Sequence, residues 1–337
     1  MPYPAVPADA TSSRGPTSVV LVHDGAVDEF ISTMLLVAMP GVTLEGVVVV
    51  NADCIAEPAM DAASKLQQFL GRPEVPLALS RARGWNPFPW PYREDCIKFG
   101  QIPSLAPYQS TVTWPPPSGE ELLTRLLREA VAAKRRVTVL ITCPLTPLTD
   151  VVSAEPALLA GIEQIIWMGG AIHVAGNLDP TTISPAVANK CAEWNAFWDP
   201  FAVDAAFRMF DGMRVFPLDI TNDTPLTPEF MAALQQQGQT YRWSQLAYEG
   251  YSLVSAEPFY DMWDVTATCL LTRPDLFAPP HSASLAIQTW GFDQGCISSS
   301  SATAHHTPRR HVQELYLAFA DKPGFYDYVL SVLRGPG

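Results

Sequence analysis

The fold is decided by the stretch Ser18-Val19-Val20-Leu21-Val22-His23-Asp24-Gly25-Ala26-Val27-Asp28-Glu29-Phe30. Its apolar, largely β-branched run over residues 19–22 predicts a buried strand of a parallel sheet. We expect the strand to end at Asp24, Gly25 to form a turn, and a helix to begin near Ala26. Ligands of open α/β sheets bind beyond the carboxyl ends of the strands, so this turn is a candidate site.

The same stretch places three acids, Asp24, Asp28 and Glu29, within six residues of one another. Such acids repel one another unless a cation or a polyol ligand lies among them. The alternative is an acidic helix N-terminus, which the helix dipole favours without any ligand. The acid cluster by itself leaves both interpretations open.

Composition narrows the class of protein. The chain has 337 residues, of which 48% are hydrophobic and 16% charged, so it can bury a large core as one α/β domain or two smaller ones. Its net charge of −13 argues against a nucleic-acid partner. No apolar run is long enough to span a bilayer, and we therefore expect no membrane partner.

The six cysteines are scattered and show no zinc spacing. We expect them to be buried, reduced thiols of a cytoplasmic protein. Residues 1–16 are rich in Pro, Ala, Ser and Thr, and we predict a disordered lead-in there. We find no internal repeat and no linker, so residues 17–337 are predicted to form a single domain.

Strand and helix patterns alternate along the chain. Strands are predicted over residues 18–23, 43–50, 75–79, 136–142, 163–168, 213–218, 284–289 and 311–317. Helices are predicted over residues 26–38, 57–70, 119–133, 199–210, 227–236, 240–255, 262–271 and 323–333. Residues 80–118 have the Pro-rich, aromatic composition of a long functional or packed loop. This alternation predicts a mainly parallel, Rossmann-like α/β sheet with helices on both faces.

Several polar residues follow predicted strands or lie in unusual runs. Calcium prefers six to eight oxygen ligands, and the side chains of Asp24, Glu29 and Asp264 with the carbonyl of Thr142 form a reasonable set. Matched acids and amides suit sugar hydroxyls, and the chain offers Asp28, Asn177, Glu193 and Asn195. Taken one at a time, such acids are more often ion-pair or capping residues, and the tryptophans are more often core residues.

The motifs resemble those of the calcium-dependent nucleoside hydrolases, and among them the purine-specific (inosine–adenosine–guanosine-preferring) branch. Residues 22–29 are similar to the fingerprint Asp-x-Asp-x-x-x-Asp-Asp of that family. Similar segments follow in order at Asn51-Ala52-Asp53-Cys54, Asn86-Pro87-Phe88-Pro89, Thr142-Cys143-Pro144-Leu145, Trp167-Met168-Gly169-Gly170-Ala171, Gly176-Asn177, Ala192-Glu193-Trp194-Asn195 and Trp263-Asp264. An ordered set spanning nearly the whole chain is far more specific than the acid cluster alone.

The resemblance implies hydrolysis of the N-glycosidic bond of purine ribonucleosides to ribose and free purine. Asp24 would be a calcium ligand and the general base on the calcium-bound water. The other implied calcium ligands are Glu29, Thr142 and Asp264, the ribose ligands are Asp28, Asn177, Glu193 and Asn195, and the base contacts are Asp53, Trp90, Tyr92 and Trp263. Trp263 stands where the pyrimidine-accepting branch has a His, which favours purines. The resemblance also implies a homodimer.

Three positions depart from the family pattern. Val22 and Glu29 stand where the fingerprint has Asp, and Asn51 stands where an acid is common in the purine branch. Val22 would remove a hydrogen-bond partner near Asp24, and such losses cost about 10–100-fold in affinity or activity. A weakened or non-catalytic nucleoside- or sugar-binding protein is therefore an alternative. An aspartate-nucleophile phosphatase is a further one, but this chain lacks the Asp-x-Asp pattern of that class.

Overall fold

A nine-stranded sheet organises the part of the chain that this computed structural model describes, residues 16–257, 259–301 and 311–336. The predicted lead-in lies outside the described residues except for residue 16. The strands are β1 (Thr17–His23), β2 (Val42–Val49), β3 (Leu77–Leu79), β4 (Val137–Ile141), β5 (Ile162–Met168), β6 (Arg214–Phe216), β7 (His281–Ile287), β8 (Ile297–Ser301) and β9 (Val312–Leu315). Their order is β3-β2-β1-β4-β5-β6-β9-β7-β8. All neighbouring pairs are parallel except the two made by β7.

Helices cover both faces of the sheet. They are α1 (Val27–Ala38), α2 (Ala56–Phe69), α3 (Asp95–Phe99), α4 (Gly119–Ala132), α5 (Thr146–Ala154), α6 (Trp194–Trp198), α7 (Pro200–Met209), α8 (Leu218–Thr221), α9 (Pro228–Gly238), α10 (Arg242–Ser252), α11 (Trp263–Cys269) and α12 (Lys322–Val332). Helices α4 to α7 pack on one face and the others on the opposite face. None of the described helices combines the length and apolar character needed to cross a membrane.

Strand β1 lies in the interior of the sheet, between β2 and β4. Val19 and Leu21 belong to the hydrophobic core on one face, and Val20 and Val22 to the core on the other. All four side chains are fully buried. Because both faces of the strand are covered, its sequence is apolar without alternation, as expected for a central parallel strand. The predicted mainly parallel α/β class is confirmed.

Every predicted strand and helix is present, with ends displaced by a few residues. Helices α3, α5, α6 and α8 and strand β8 were not predicted. Helix α5 carries a proline at its start, a position that tolerates proline but hides the helical pattern in the sequence. Strand β8 is serine-rich and has no apolar alternation, and its antiparallel pairing with β7 defines it.

The expectation that all cysteines are reduced is wrong for two of them. Cys191 and Cys296 form a disulfide whose Cα atoms are 5.1 Å apart. They are separated by 105 residues, so only the folded chain brings them together. The other four cysteines are free and buried, as expected. The disulfide ties the loop that follows β5 to the connection between β7 and β8.

The carboxyl ends of the central strands place the predicted site residues along one edge of the sheet. Asp24 follows β1, Asp53 lies beyond β2, and Thr142 follows β4. Between β1 and α1, Gly25 has a φ of +91°, and a Cβ atom there would lie 2.7 Å from the Cβ of Ala59. The turn that presents Asp24 therefore requires glycine.

Candidate active site

A cavity of about 540 Å³ opens at this edge of the sheet. Ten of the twelve site residues predicted from the sequence line it, and they come from the ends of β1, β2, β4 and β5 and from later loops. They are Asp24, Glu29, Asp53, Tyr92, Thr142, Asn177, Glu193, Asn195, Trp263 and Asp264. The cavity volume is in the range of small-molecule sites in proteins.

Glu29 and Asp24 form a buried acid pair in the wall of the cavity. Glu29 Oε1 accepts hydrogen bonds from the backbone N–H of Asp24 at 3.0 Å and from Thr142 Oγ1 at 3.1 Å. Glu29 Oε2 accepts a hydrogen bond from the N–H of Ala26 at 2.6 Å. Asp24 Oδ2 accepts one from the N–H of Asp53 at 2.9 Å. The longer Glu29 side chain thus folds back over the first turn of its own helix.

Burial dominates the electrostatics of these acids. It raises the pKa of Asp24 well above the ordinary value, and the neighbouring carboxylate of Glu29 raises it further. Burial also raises the pKa of Glu29 to about 7 against hydrogen bonds that lower it. The pKa of Asp264 is raised by burial and then by the charges of Glu29, Asp28 and Asp24. The three carboxyls therefore lack a compensating positive charge.

The donors in this part of the cavity fit a hard divalent cation in chemistry, because they are all carboxylate or carbonyl oxygens. The geometry fits less well. Within the described ranges, the His, Cys, Asp and Glu side chains whose ligand atoms all lie within 4.8 Å of one another are Cys191, Asp293 and Cys296, two of which form the disulfide. The cavity acids do not converge to that extent.

Asp28, predicted to be a ribose ligand, is not among the residues that line the cavity. It is fully buried, and its Oδ2 accepts hydrogen bonds from the N–H groups of Asp264 at 2.7 Å and Val265 at 2.9 Å. Its Oδ1 accepts one from the hydroxyl of Tyr251 at 2.6 Å. Successive residues of a helix project about 100° apart, so Asp28 faces α11 while Glu29 faces the cavity. Asp28 caps α11 and positions Asp264.

Glu193 and Asn195 lie at the start of α6, also in the cavity wall. Glu193 accepts hydrogen bonds from the N–H groups of Gly170 at 2.7 Å and Asn195 at 2.8 Å. Burial raises its pKa to about 7. The amide of Asn195 donates to the carbonyl of Met168 at 3.2 Å, and Asn177 Oδ1 accepts from the N–H of Trp194 at 3.1 Å. These bonds fix an acid and two amides beside Asp24.

Aromatic rings also line the cavity. Tyr92 and Phe259 pack edge to face with ring centroids 6.2 Å apart, and Trp263 contacts Tyr260 with centroids 4.8 Å apart. Trp90, which was predicted to contact the base, is 69% exposed and is not among the residues that line the cavity. It lies on the outer side of the 3-10 turn Trp90–Tyr92, which directs Tyr92 inward instead.

The structure also places acids in the cavity that the sequence did not indicate. Asp95 begins α3, Asp179 lies in the loop after β5, and Glu257 lies in the loop after α10. Their distant positions in the chain give no common spacing, and no motif marks them. The run Phe259-Tyr260-Asp261, which shortly precedes Trp263 in the chain, lines the cavity as well.

Behind the acid pair, the wall is apolar where the fingerprint has an acid. Val22 is fully buried in the core on its face of the sheet. His23 is fully buried on the other side of the strand, where burial lowers its pKa to about 3. Its Nδ1 lies 3.7 Å from Glu29 Oε2, and neither of its ring nitrogens has a hydrogen-bond partner in the described structure.

Sequence comparison relates the chain to proteins of one activity class. The family model described as inosine-uridine preferring nucleoside hydrolase matches residues 19–322. RihC of Escherichia coli (strain SE11), a non-specific ribonucleoside hydrolase, is 26% identical over 259 residues, which are 77% of this chain and 80% of RihC.

Solved structures give the same relationship. The inosine-uridine preferring nucleoside hydrolase from Bacillus anthracis superposes with a TM-score of 0.82 at 28% identity, over 94% of this chain and 99% of that one. The purine-preferring ribonucleoside hydrolase from Gardnerella vaginalis superposes with a TM-score of 0.74 at 16% identity, over 94% of this chain and 98% of that one. The second likeness concerns the fold alone. The base preferences in these names differ from one another.

Proposed function

Because the chain belongs to the nucleoside hydrolase family, we propose that it hydrolyses the N-glycosidic bond of ribonucleosides, with a preference for purines. The observation that carries this proposal is the cavity itself. It gathers Asp24, Glu193, Asn195 and Asn177 together with aromatic rings in one cavity, and a sugar joined to a flat base requires both kinds of group.

The proposed chemistry centres on Asp24. The C1′–N bond breaks through an oxocarbenium-like ribosyl state, as in glycoside hydrolysis generally. Asp24 accepts the proton of the water that attacks C1′ on the face opposite the base. Glu193, Asn195 and Asn177, held by their own backbone contacts, bind the ribose hydroxyls. Calcium, held by Asp24, Glu29, Asp264 and the Thr142 carbonyl, would neutralise these acids and supply Lewis acidity.

The proposed purine preference is supported by the base side of the cavity. Trp263 offers a large aromatic face beside Asp264, and Tyr92 and Phe259 lie across the same cavity. Stacking between such faces favours a base that becomes positively charged as it leaves. No histidine is among the described residues that line the cavity.

A reducing-sugar assay tests the proposal. Inosine, adenosine, guanosine, uridine and cytidine are compared in EDTA and after addition of calcium. We expect turnover of the purine nucleosides, loss of activity in EDTA and recovery with calcium. Faster hydrolysis of uridine than of every purine nucleoside would contradict the purine preference, and activity that persists in EDTA would contradict the metal dependence.

The catalytic role of Asp24 has its own test. Asp24→Asn keeps the size of the side chain but removes the proton acceptor, and we expect turnover to fall by at least about 100-fold. Glu121→Gln on the exposed surface of α4 serves as the control and should retain activity. Unchanged turnover in Asp24→Asn, with an unaltered circular dichroism spectrum, would exclude Asp24 as the base.

A nucleoside- or sugar-binding protein without turnover is the second candidate. It is favoured by Val22, which is apolar where the fingerprint has an acid, and by Glu29, which is bonded back to its own helix. This candidate predicts that calorimetry detects inosine or ribose binding while no reducing sugar is released. Any calcium-dependent release of ribose from inosine excludes it.

A further inference from the structure

The base side of the cavity carries more negative charge than a neutral nucleoside needs. Asp24, Glu29, Asp264 and Glu193 belong to the proposed metal and ribose side. Beyond them, Asp53, Asp95, Asp179 and Glu257 also line the cavity. Within the described residues, no lysine, arginine or histidine is part of the lining.

The positive charges near these acids lie outside the cavity and compensate them only in part. Lys98 pairs with Asp95 at 3.1 Å, and Arg93 donates hydrogen bonds to the carbonyl of Ala52 and to the side chain of Asn51. Burial raises the pKa of Asp53 and of Glu257, and the charges of Arg93 and Lys98, respectively, oppose that rise. The carboxylates of Asp53 and Glu257 accept no hydrogen bond from any residue in the described ranges. A positively charged group in this part of the cavity would therefore meet two carboxylates, Asp53 and Glu257, that form no ion pair with the described residues.

Aromatic rings stand among these acids. The phenol of Tyr92 feels the charges of Asp179, Glu257 and Asp53, and its pKa is raised first by burial and then by them. The ring of Phe259 lies 6.2 Å from that of Tyr92, and Trp263 lines the same cavity. Aromatic faces surrounded by carboxylates form the environment that organic cations prefer in proteins.

We infer that the base side of this cavity selects nucleosides whose base carries a fixed positive charge, such as an N7-alkylated purine or an N-ribosylated pyridinium. This inference rests on the proposed hydrolase function and narrows its substrate class. Glu257, Asp53 and the ring of Tyr92 are the specificity-determining groups, through their charges and the aromatic face. Neutral purine nucleosides remain substrates, since their bases acquire the same charge when protonated.

The reaction balances without a proton donor for the base. Water adds its oxygen to C1′, and its proton passes to Asp24 and then to solvent. The electron pair of the broken C1′–N bond stays on the ring nitrogen, so a cationic base departs neutral. The products are ribose, the neutral base and one proton. A lining without histidine is consistent with such a leaving group, which requires no protonation.

Binding of base analogues tests charge selection without any turnover. Isothermal titration calorimetry compares 1-methylnicotinamide, which carries a fixed positive charge, with neutral nicotinamide of nearly the same shape. We expect the cation to bind about tenfold more tightly to the wild-type protein. The ratio should fall towards one in Glu257→Gln and be retained in the surface control Glu121→Gln. Equal affinities in the wild type, or a ratio unchanged in Glu257→Gln, would overturn the inference.

Turnover gives the second measurement and separates the two proposals. We measure kcat/KM at pH 6 for 7-methylguanosine and for guanosine and take their ratio in the wild type and in Glu257→Gln. The methylated substrate is intrinsically more labile, but this lability affects both proteins equally and cancels when the two ratios are compared. We expect the ratio to fall at least about fivefold in the variant. An unchanged ratio overturns the inference while hydrolysis stands. Charge-selective binding without turnover of any nucleoside instead overturns the hydrolase function.

Discussion

Glu29 is one methylene longer than the aspartate of the fingerprint, and the structure shows where the extra length goes. Its carboxylate accepts hydrogen bonds from the N–H groups of Asp24 and Ala26. These hydrogen bonds satisfy donors at the first turn of α1, which the helix dipole also favours. The side chain thus stabilises the start of α1 while it lines the cavity.

We predict that Glu29→Asp increases the affinity for calcium by about tenfold, because the shorter side chain gives up its backbone bonds and can turn towards Asp24 and Asp264. Calorimetric titration of the metal-free protein measures this change. Glu29→Gln is the matched control, since it keeps the length but removes the charge, and it should bind calcium more weakly than the wild type. Equal calcium affinities in Glu29→Asp and the wild type would show either that the calcium site accommodates the longer side chain of Glu29 or that Glu29 is not a calcium ligand.

At the scale of elements, Asp28 joins three helices. It belongs to α1, and its carboxylate accepts a hydrogen bond from the hydroxyl of Tyr251 in α10. It also accepts hydrogen bonds from two backbone N–H groups at the start of α11. The second of these contacts fixes the backbone of Asp264, so the position of a cavity acid depends on a carboxylate buried outside the cavity. We therefore assign Asp28 as a positioning residue.

Asp28→Ala leaves three buried donors without an acceptor, and we predict a loss of about 3 kcal/mol in the free energy of unfolding of the ligand-free protein. Tyr251→Phe removes only one of these bonds and should cost about 1 kcal/mol. Urea denaturation measures both changes. A ribose contact alone would behave differently: KM would rise while the stability of the free protein stayed within about 0.5 kcal/mol of the wild type.

The loop between β5 and α6 carries Asn177 and is held by the disulfide and by Asn189. The amide of Asn189 donates to the carbonyls of Phe292 at 2.9 Å and Gln294 at 3.0 Å.

We predict that the double substitution Cys191→Ser and Cys296→Ser lowers the free energy of unfolding by about 2–4 kcal/mol. Dithiothreitol should lower the stability of the wild type by a similar amount and leave the double variant unchanged. If dithiothreitol also lowered the free energy of unfolding of the double variant, its effect on the wild type could not be assigned to reduction of this disulfide.

At the scale of the whole molecule, the sequence predicts the central elements and most of the site for physical reasons. Strand β1 is apolar because both its faces are buried, and a polar turn at its carboxyl end stands out against that background. The contacts of Asp28 with α10 and α11 could not be predicted, because proximity to Glu29 in the sequence does not tell which helix face meets the cavity. Asp95, Asp179 and Glu257 were missed because separate loops bring them together. The Cys191–Cys296 pair likewise depends on tertiary structure.

The buried acids should make the stability of the metal-free protein depend on pH. Burial raises the pKa of Glu29 and of Glu193 to about 7 and that of Asp28 to about 6. A carboxyl with a raised pKa binds its proton more tightly in the folded state. Its stabilising contribution is therefore fully present below the unfolded pKa of about 4–4.5 and is lost as the pH rises through the folded value. Burial lowers the pKa of His23 to about 3, so its effect on stability has the opposite sign: below about pH 6.5 it destabilises the folded state as the pH falls. Because His23 is one group and the buried acids are several, the acids dominate the pH dependence.

We predict that the free energy of unfolding in EDTA falls by a few kcal/mol between pH 5 and pH 8, at about 1.4 kcal/mol per unit of pKa shift for each group. Urea denaturation across this range measures it. Glu193→Gln should flatten the pH dependence, whereas Glu121→Gln, on the exposed surface, should not. Calcium should restore stability at pH 8, because it binds the folded state and replaces the missing positive charge. Stability that rises from pH 5 to pH 8 in EDTA would mean that these acids are already compensated within the folded protein.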